Sequence, residues 1–192
     1  MPKSEIAPEI QNVVVSATLG QEMDLNSILR IFPTTKYNPE TFPGLIFRLK
    51  KPKATALIFR SGKMICAGAK SERQAKRAVS NILDELRRSG IVILGKPNVE
   101  TQNIVATASL GGRVDLEKTA YALERTIYDP EQFPGLIYRM NEPKVVILIF
   151  ANGKLVCAGA KSEDDVYSST TRLEETLQQK ELISYAQRGK AP

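Results

Sequence analysis

Apolar and polar residues alternate along several short stretches of the first 90 residues. The first such stretch covers residues 12–19, and its alternation predicts a strand with one buried face. The dipeptide Ser61-Gly62 favours a tight hairpin between two later stretches. Further strands are predicted over residues 44–49, 54–60 and 63–69. Consecutive strands of this kind indicate an antiparallel sheet.

Two other stretches have the three- and four-residue spacing of a helix. Asp24 caps the first of them, whose apolar positions include Leu25 and Ile28. Ser71, with Gln74 three residues later, resembles a capping box at the start of a longer helix. The predicted buried stripe of this longer helix consists of Ala75, Ala78, Val79, Ile82, Leu83 and Leu86. Helices with one apolar stripe pack on a sheet face, so we expect an α+β fold.

The whole pattern recurs 91 residues later. Positions 37–72 align with positions 128–163 without a gap, and 23 of these 36 residues are identical. The helix after Ser162 keeps a thinner apolar stripe, made of Val166, Leu173 and Leu177. Two copies are too few for a solenoid and indicate one duplicated unit with a pseudo-two-fold axis. We therefore predict a first repeat over residues 1–96, a second repeat over 97–183 and a flexible tail over 184–192.

Composition narrows the classes of function. Hydrophobic residues make up 42% of the 192 residues, which is ordinary for a folded chain. No apolar run approaches ~18 residues, and residues 1–5 contain no apolar stretch, so we expect neither a membrane partner nor a signal peptide. The chain has no histidine, and Cys66 and Cys157 lie far apart in matching contexts, which predicts buried packing for both. We expect no cofactor, no metal site and no catalysis.

The net charge of +6 is divided unevenly between the two halves of the chain. Residues 1–96 carry 16 basic and 8 acidic side chains, whereas residues 97–192 carry 11 and 13. Part of the excess lies in or near the first long helix, at Lys70, Arg73, Lys76, Arg77, Arg87 and Arg88. Such a cluster is either an ordinary solvated helix face or a docking surface for an acidic partner or nucleic acid.

The strands predict a second apolar face besides the one that the helices cover. Its residues alternate with the buried ones and comprise Val14, Leu57, Phe59, Ile65, Val105, Leu148, Phe150 and Val156. Three occupants fit this face: the other unit, stacked on it as a second core; a second copy of the chain; or a ligand. Pattern alone favours the second core. Asn12 and Asn103 count against it, because a buried interface would have to satisfy two equivalent amides.

Three motifs occur in both copies and are specific to one family. They are F-P-G-L-I-x-R, L-I-F-x-x-G-K and A-G-A-K-S-E. With these motifs in register over residues 9–183, the chain resembles the core of the TATA-binding proteins, and its short N-terminus resembles that of an archaeal member. The resemblance implies one continuous, saddle-shaped antiparallel sheet formed by two pseudo-symmetric repeats, with helices on the convex face. It also implies a general transcription initiation factor, located in the archaeal cytoplasm on the nucleoid, or in the nucleus if the source is eukaryotic.

Position by position, the resemblance assigns DNA contacts to the second apolar face. Phe42 with Phe59, and Phe133 with Phe150, match two pairs of wedges; the family is itself a standard example of minor-groove kinking by about 80° with inserted apolar side chains. Asn12 and Asn103 match central amides that donate to minor-groove acceptors. The matching apolar floor is Val14, Leu57, Ile65, Val105, Leu148 and Val156. Positions near the DNA backbone match Arg48, Lys63, Arg139 and Lys154.

The centre of this face departs from the family pattern. Ala67 and Ala158 stand where many members have threonine, and Ser16 replaces another threonine, while Thr107 occupies its place in the second copy. We expect all four residues to contact DNA. Because two hydroxyl groups are absent, the central recognition is expected to rest on the two asparagines.

The resemblance also implies protein partners. Family members recruit a B-type initiation factor through a loop and strand edge of the second repeat, and assembly with RNA polymerase follows. That region contains Asp129, Glu131 and Glu142, where the first copy has Asn38, Glu40 and Lys51. We expect this acidity to select the docking side. In the absence of DNA, a weak homodimer through the concave face is a further expectation.

Two other functions stay open at this stage. A sheet that carries Phe59 and Phe150 is also a platform for stacking splayed RNA bases, which predicts a preference for single strands. Minor-groove insertion predicts a preference for duplex with flexible T-A steps instead. An inert structural dimer through the same face predicts no binding to nucleic acid at all.

Overall fold

The structure is a computed structural model that describes residues 6–185 of the chain. Over these residues the helices are α1 (Leu25–Ile31), α2 (Glu72–Arg88), α3 (Leu116–Ala122) and α4 (Glu163–Gln179). The strands of the first repeat are β1 (Glu9–Thr18), β2 (Lys36–Asn38), β3 (Phe42–Leu49), β4 (Ala54–Phe59) and β5 (Lys63–Ala69). Those of the second repeat are β6 (Asn98–Ser109), β7 (Arg113–Val114), β8 (Thr126–Ile127), β9 (Leu136–Met140), β10 (Val145–Ile149), β11 (Lys154–Ala160) and β12 (Ile183–Ser184).

Ten of these strands form one antiparallel sheet, in the order β2-β3-β4-β5-β1-β6-β11-β10-β9-β8. The succession β2-β3-β4-β5-β1 of the first repeat returns as β8-β9-β10-β11-β6 in the second. The short strands β7 and β12 pair with each other in a separate sheet. The predicted α+β class, with two repeats sharing one antiparallel sheet, is therefore confirmed.

The chain divides into two compact units. Their bounds differ from those of the predicted repeats, which meet between residues 96 and 97. The first unit consists of residues 11–103. The second unit consists of residues 104–185 together with residues 6–10, as far as the structure describes it. Each unit therefore contains one long helix and the strands on which that helix packs.

In the first unit, α2 buries one face of the sheet. Ala56 and Ile58 of β4 and Met64 and Cys66 of β5 are fully buried, as are all six residues of the predicted α2 stripe. α2 packs on both strands. Burial of one large aliphatic side chain contributes roughly 1.5–3 kcal/mol, so this layer is the hydrophobic core of the unit.

In the second unit, α4 packs on β11 with a more polar stripe. Val166, Leu173 and Leu177 are buried as predicted, but so are Ser169 and Thr170. The hydroxyls of Ser169 and Thr170 both donate to the Val166 carbonyl, at 3.0 and 2.9 Å. Because buried polar groups must be hydrogen-bonded, these bonds allow a polar stripe to serve as core.

Three helices begin at the residues that the sequence predicted. The Asp24 carboxylate accepts from the hydroxyl of Ser27 at 2.6 Å and from its amide at 3.1 Å, and these bonds lower the pKa of Asp24. Ser71 Oγ accepts from the Gln74 amide at 3.1 Å. Ser162 forms a complete capping box with the side chain three residues later. Each cap satisfies an amide that has no partner within its own helix.

Both cysteines are free and buried, as predicted. Burial raises the pKa of the Cys66 thiol to about 11, and burial also raises the pKa of Cys157. Neither thiol is a reactive thiolate near neutral pH. Within residues 6–185, no helix has both the length and the apolar character needed to cross a membrane.

Short elements were not predicted. Strands β2 and β8, which end the sheet order, have three and two residues, too few for a periodic pattern. Ser184, where the predicted tail begins, belongs to β12 because it pairs with Arg113 of β7. Residues 186–192 of that tail lie outside the described residues.

The second apolar face is not a core. In both units its residues are only half-buried, although their neighbours along each strand are fully buried. The expectation of a second core on this face is wrong, because these side chains keep part of their surface exposed. We call the sheet surface opposite the helices the open face; it includes Val14, Leu57, Phe59, Ile65, Val105, Leu148, Phe150 and Val156.

Candidate nucleic-acid interface

Strand register brings open-face residues of the first unit into one row. Leu57 of β4 lies opposite Ile46 of β3 and Ile65 of β5, and Ile65 lies opposite Ser16 of β1. Residues directly opposite each other share a face of the sheet. All four are half-buried, so the row is an apolar strip with a hydroxyl at one end.

The second unit contains the same row. Leu148 of β10 lies opposite Ile137 of β9 and Val156 of β11, and Val156 lies opposite Thr107 of β6. These four residues are also half-buried. Each of them stands 91 positions after its counterpart in the first unit, so the sequence duplication produces a duplicated surface.

Ile46 and Ile137 are open-face residues that sequence reasoning missed. Each precedes a predicted cation, Arg48 or Arg139, by two positions. Residues two apart on a strand share a face, so the alternation contained a signal for both. Their place beside the predicted floor depends on strand register, which the sequence alone did not provide.

Phe42 and Phe59 form an aromatic pair in the first unit. Their ring centroids lie 5.9 Å apart at an interplanar angle of 65°, an edge-to-face arrangement that aromatic quadrupoles favour. Gly44 lies opposite Phe59 in the sheet. A Cβ atom on Gly44 would lie 2.6 Å from Cε1 of Phe42 and 3.0 Å from Cε1 of Phe59. A side chain at this position would therefore displace the rings, so glycine preserves the pair.

The corresponding pair in the second unit has the same geometry. The centroids of Phe133 and Phe150 are 5.9 Å apart at 66°. A Cβ atom on Gly135 would lie 2.8 Å from Cε1 of Phe133 and 3.0 Å from Cε1 of Phe150. Phe42 and Phe133 are 39% and 37% exposed, which is unusual for phenylalanine. The structure thus brings together both predicted pairs and leaves part of each available for contact.

Asn12 is oriented by a strand irregularity. Gly68 of β5 has a φ of +103° and lies where the register shifts between the pairs Val13–Ala69 and Val15–Cys66. This is the geometry of a β-bulge, which leaves an amide without a partner in the ladder. The Gly68 amide donates to Asn12 Oδ1 at 2.7 Å. Because Oδ1 is engaged as an acceptor, the group that Asn12 can offer a ligand is its Nδ2 donor.

The second asparagine, Asn103, lies 91 positions later and is half-buried like Asn12. Gly159, the counterpart of Gly68, has a φ of +92° beside a second register shift, between Cys157 and Ala160. The conditions that orient the first amide therefore recur along β6 and β11.

The predicted central residues differ in their polar contacts. Ser16 Oγ accepts from Gln102 Nε2 at 2.8 Å. Ala67 lies opposite Thr55, and Ala158 lies opposite Val146, and both alanines are half-buried. Thr55 thus supplies a hydroxyl beside Ala67 that sequence reasoning missed, whereas the second unit has valine at that position.

Four exposed cations flank the two rows, namely Arg48, Lys63, Arg139 and Lys154. Lys63 lies opposite Thr18 at one end of β5, and Lys154 lies opposite Ser109 at the matching end of β11. Within the described part of the chain none of the four belongs to an ion pair. Their charges are therefore available to an anionic ligand at matching places in the two units.

A cleft of about 570 Å³ lies beside Phe150 in the second unit. Its lining includes the predicted site residues Thr107, Lys154 and Val156, together with Glu9. An aromatic ring, a hydroxyl, a cation and the Glu9 carboxylate thus surround one open volume beside the second phenylalanine pair.

The predicted partner-binding residues do not form one cluster. Asp129 and Glu131 share a turn before β9, where Asp129 Oδ1 accepts from the Glu131 amide at 3.2 Å. The Asp129 carbonyl also accepts from the Phe133 amide at 2.9 Å. Glu142 follows β9, at the opposite end of that strand, and its carbonyl accepts from Nη1 of Arg172. All three acidic side chains are exposed.

Comparison with known proteins identifies the family of the duplicated unit. The family model described as transcription factor TFIID, or TATA-binding protein, matches residues 7–89 and again residues 98–180. The TATA-box-binding protein of Pyrodictium occultum is 52% identical over 174 residues, which cover 91% of this chain and 87% of that protein. The TATA-box-binding protein of Pyrobaculum calidifontis is 50% identical over 181 residues, 94% of this chain and 90% of that protein.

A solved structure has the same fold. The Methanococcus jannaschii protein superposes with a TM-score of 0.82 at 46% sequence identity. The match covers 90% of this chain and 98% of that one. The fold described above is thus shared with a known structure.

Proposed function

The chain belongs to the TATA-binding protein family, a family of transcription factors, and we propose that it binds the minor groove of A·T-rich promoter DNA and kinks it with its two phenylalanine pairs. The observation that carries this proposal is the duplicated open face. Its apolar rows, phenylalanine pairs and flanking cations occur twice with matching geometry. A duplex has approximate two-fold symmetry, so a duplicated surface suits it.

Selection of A·T pairs follows from the apolar rows and the asparagines. In the minor groove, A·T and T·A present only acceptors, whereas G·C adds the protruding guanine amine. The row of Ile46, Leu57 and Ile65 has no acceptor for that amine, and Nδ2 of Asn12 offers a donor. A guanine would therefore introduce an unpaired donor against an apolar surface, which costs free energy.

Kinking is assigned to the phenylalanine pairs. Ring insertion costs a few kcal/mol of base unstacking per step, and the bent duplex then contacts more protein surface. Rings held in place by a neighbour lose little freedom on insertion, and Gly44 and Gly135 allow the two rings of each pair to pack together. Steps that unstack easily, such as T-A, are expected at both insertion points.

Recruitment of a B-type initiation factor is proposed for the acidic surface of the second repeat. Asp129 and Glu131 share one turn, and Glu142 lies beyond the other end of β9. The factor would therefore have to span β9 to contact all three carboxylates. We expect charge reversal at Glu131 and Glu142 to weaken the ternary complex of protein, duplex and factor; full assembly by that variant would contradict this part of the proposal.

Fluorescence anisotropy tests the DNA-binding proposal. The probes are an A·T-rich duplex with T-A steps, a G·C duplex and the A·T-rich single strand, each at several salt concentrations. We expect preference for the A·T-rich duplex, persisting as salt rises, because apolar insertion is not screened. Phe59→Ala and Phe150→Ala should each weaken that binding about tenfold or more, since truncated aromatic anchors typically cost 2 kcal/mol or more.

Tyr121→Ala is the matched control, because Tyr121 is 93% exposed on α3 and lies outside the open face. It should leave the affinity unchanged. Preference for the single strand would favour a sheet platform that stacks splayed bases instead. Equal binding to both duplexes that collapses with salt would leave only electrostatic attraction and contradict the proposal.

A further inference from the structure

The helix side of the first unit carries a cluster of cations that the open face does not use. Six of its exposed members are Lys50, Lys51 and Lys53 in the β3–β4 turn, and Arg73, Lys76 and Arg77 on α2. We call these six residues the α2 basic face. Their counterparts 91 positions later include one lysine and two carboxylates: Asn141, Glu142, Lys144, Asp164, Tyr167 and Ser168.

A hydrogen bond joins the two parts of the α2 basic face. Asn81 Nδ2 donates to the carbonyl of Lys51 at 3.3 Å, which holds the turn against the helix. Arg77 lies one helical turn before Asn81, so its Cβ is a neighbour of that contact. The second unit has the same connection, between Arg172 and the carbonyl of Glu142. The two units thus share the architecture of this surface but not its charge.

The charge of the α2 basic face is not neutralised by the chain. Within residues 6–185, none of its six cations takes part in an ion pair. Two acidic residues of α2 are engaged elsewhere: Glu72 accepts from the Thr101 hydroxyl at 2.8 Å, and Asp84 pairs with Arg87 at 3.3 Å. The remaining one, Glu85, is half-buried. The face therefore attracts an anionic partner.

The composition of the face identifies the class of partner. Protein interfaces have a core of aromatic or aliphatic anchors. The large hydrophobic side chains exposed in the described part of the chain include none from residues 50–53 or 72–88. Contacts to a nucleic-acid backbone need only cations and small polar groups, which this face has. Charge without an apolar anchor favours phosphates over an acidic protein.

We propose that the α2 basic face binds the phosphate backbone of a second DNA duplex, without sequence preference, while the open face holds the first. α2 packs on the face of β4 and β5 that is opposite to Leu57 and Ile65. A duplex on the open face therefore leaves the α2 basic face uncovered. One molecule can then hold two DNA segments, and it can pass from non-specific DNA to a promoter without dissociating.

A triple variant isolates this site: Arg73→Gln, Lys76→Gln and Arg77→Gln. Glutamine keeps helix propensity and removes only charge at three exposed positions. The matched control is Lys96→Gln, Lys144→Gln and Lys180→Gln, which removes the same charge from exposed positions outside both surfaces. Comparison of the two triple variants separates the α2 basic face from net charge.

The measurement starts with protein saturated by an A·T-rich duplex that carries one dye. A G·C duplex with a second dye is then titrated in, and energy transfer between the dyes reports that both duplexes are bound. With about six phosphate contacts, the affinity for the second duplex should fall about a thousandfold between roughly 50 and 200 mM salt. The α2 variant should reduce the slope of log K against log salt by about 2 to 3, whereas the control variant should not.

Three results would overturn the proposal. The first is absence of energy transfer at low salt, with the A·T-rich duplex still bound. The second is equal weakening by both triple variants, which would mean that only net charge acts. The third is displacement of the second duplex by poly-glutamate at equal charge concentration, which would identify an acidic protein as the partner.

The second site can be judged even if the open-face proposal fails. The double variant Phe59→Ala, Phe150→Ala should still bind the G·C duplex at low salt. Adding the three α2 substitutions to this double variant should still weaken that binding. Loss of that response would contradict the second site alone.

Discussion

The two repeats are nearly identical on the open face and differ most on the helix side. The phenylalanine pairs have the same separation of 5.9 Å and angles of 65° and 66°. On the helix side, α2 has the buried Leu83 where α4 has the buried Glu174, and Arg73 stands where α4 has Asp164. The geometry of the phenylalanine pairs is the same in both units, where a duplex with two-fold symmetry is proposed to bind. The side-chain chemistry differs between the units on the helix side.

This difference indicates how a symmetric surface can serve a directional process. The two equivalent half-sites proposed for the open face cannot by themselves distinguish the two orientations on DNA. Under the proposals above, the basic surface on the first unit and the acidic one on the second provide the distinction, because a different partner is proposed for each. We therefore expect equal effects from paired substitutions on the open face and unequal effects from paired substitutions on the helix side.

The largest effect is expected at the hairpin glycines. A Cβ on Gly62 would lie 2.0 Å from the Gln21 carbonyl oxygen, and one on Gly153 would lie 2.0 Å from that of Gly112, both at positive φ. Gly62→Ala and Gly153→Ala should each lower the free energy of unfolding by about 3 kcal/mol or more, from backbone strain plus overpacking. Urea denaturation measures both.

Gly20→Ala and Gly111→Ala are the matched controls for these hairpins. Both glycines have a φ of +68° but nothing within 4 Å of the added Cβ. In these variants the free energy of unfolding should fall only by the cost of the left-handed conformation, about 1–2 kcal/mol. If the free energy of unfolding falls no more in the hairpin variants than in the controls, the close approach of the turn to the neighbouring carbonyl is not the reason for glycine.

A smaller and unequal effect is expected from the two cysteines at high pH. The folded state keeps the Cys66 thiol protonated up to a pKa of about 11, whereas an unfolded thiol ionises near pH 8.5. Stability should therefore fall by about 2–3 kcal/mol as pH rises from roughly 8.5 to 11. Cys66→Ala should remove this part of the pH dependence.

Cys157→Ala should change the pH dependence less. Burial raises the pKa of Cys157 as well; the hydrogen bond with Ser169 lowers it, and the smaller effect of the Asp165 charge raises it. The test is to measure the free energy of unfolding of wild type and of both variants between pH 8 and 11. A larger change for Cys157→Ala than for Cys66→Ala would contradict this ranking of the two buried thiols.

The smallest expected effect, and an equal one, concerns the glycines beneath the phenylalanine pairs. Gly44→Ala would displace the ring of Phe42, and Gly135→Ala that of Phe133. Overpacking of about 1–3 kcal/mol should weaken binding of the A·T-rich duplex about five- to 150-fold in each case. Anisotropy measures the affinity, and urea denaturation verifies that both variants are folded. A loss confined to one of them would break the equivalence of the two half-sites.

Much of this fold could be predicted from residue patterns. The α2 stripe has three- and four-residue spacing along a full 17-residue helix, and all six predicted residues are buried. Strand β5 has the predicted bounds, Lys63–Ala69, because alternation is clear over its length. Strands β2 and β8 were missed since two or three residues cannot display a period.

The candidate site could be predicted less completely, because part of it depends on register and backbone conformation. Ile46 becomes part of the open-face row only through its pairing with Leu57. The donor role proposed for Asn12 depends on the backbone amide of Gly68, a contact across 56 residues. The requirement for Gly44 appears only once both rings are in place. Separations of this kind along the chain leave no local pattern to detect.

The central claim is that the open face reads the minor groove of A·T pairs. Replacement of A·T by inosine·cytosine tests it most directly, because inosine lacks the guanine amine in the minor groove but keeps the major-groove acceptors of guanine. We predict that the inosine·cytosine duplex binds nearly as tightly as the A·T-rich duplex, while each G·C pair in the same site costs about 1–3 kcal/mol. An inosine·cytosine duplex that binds as weakly as the G·C duplex would contradict the claim.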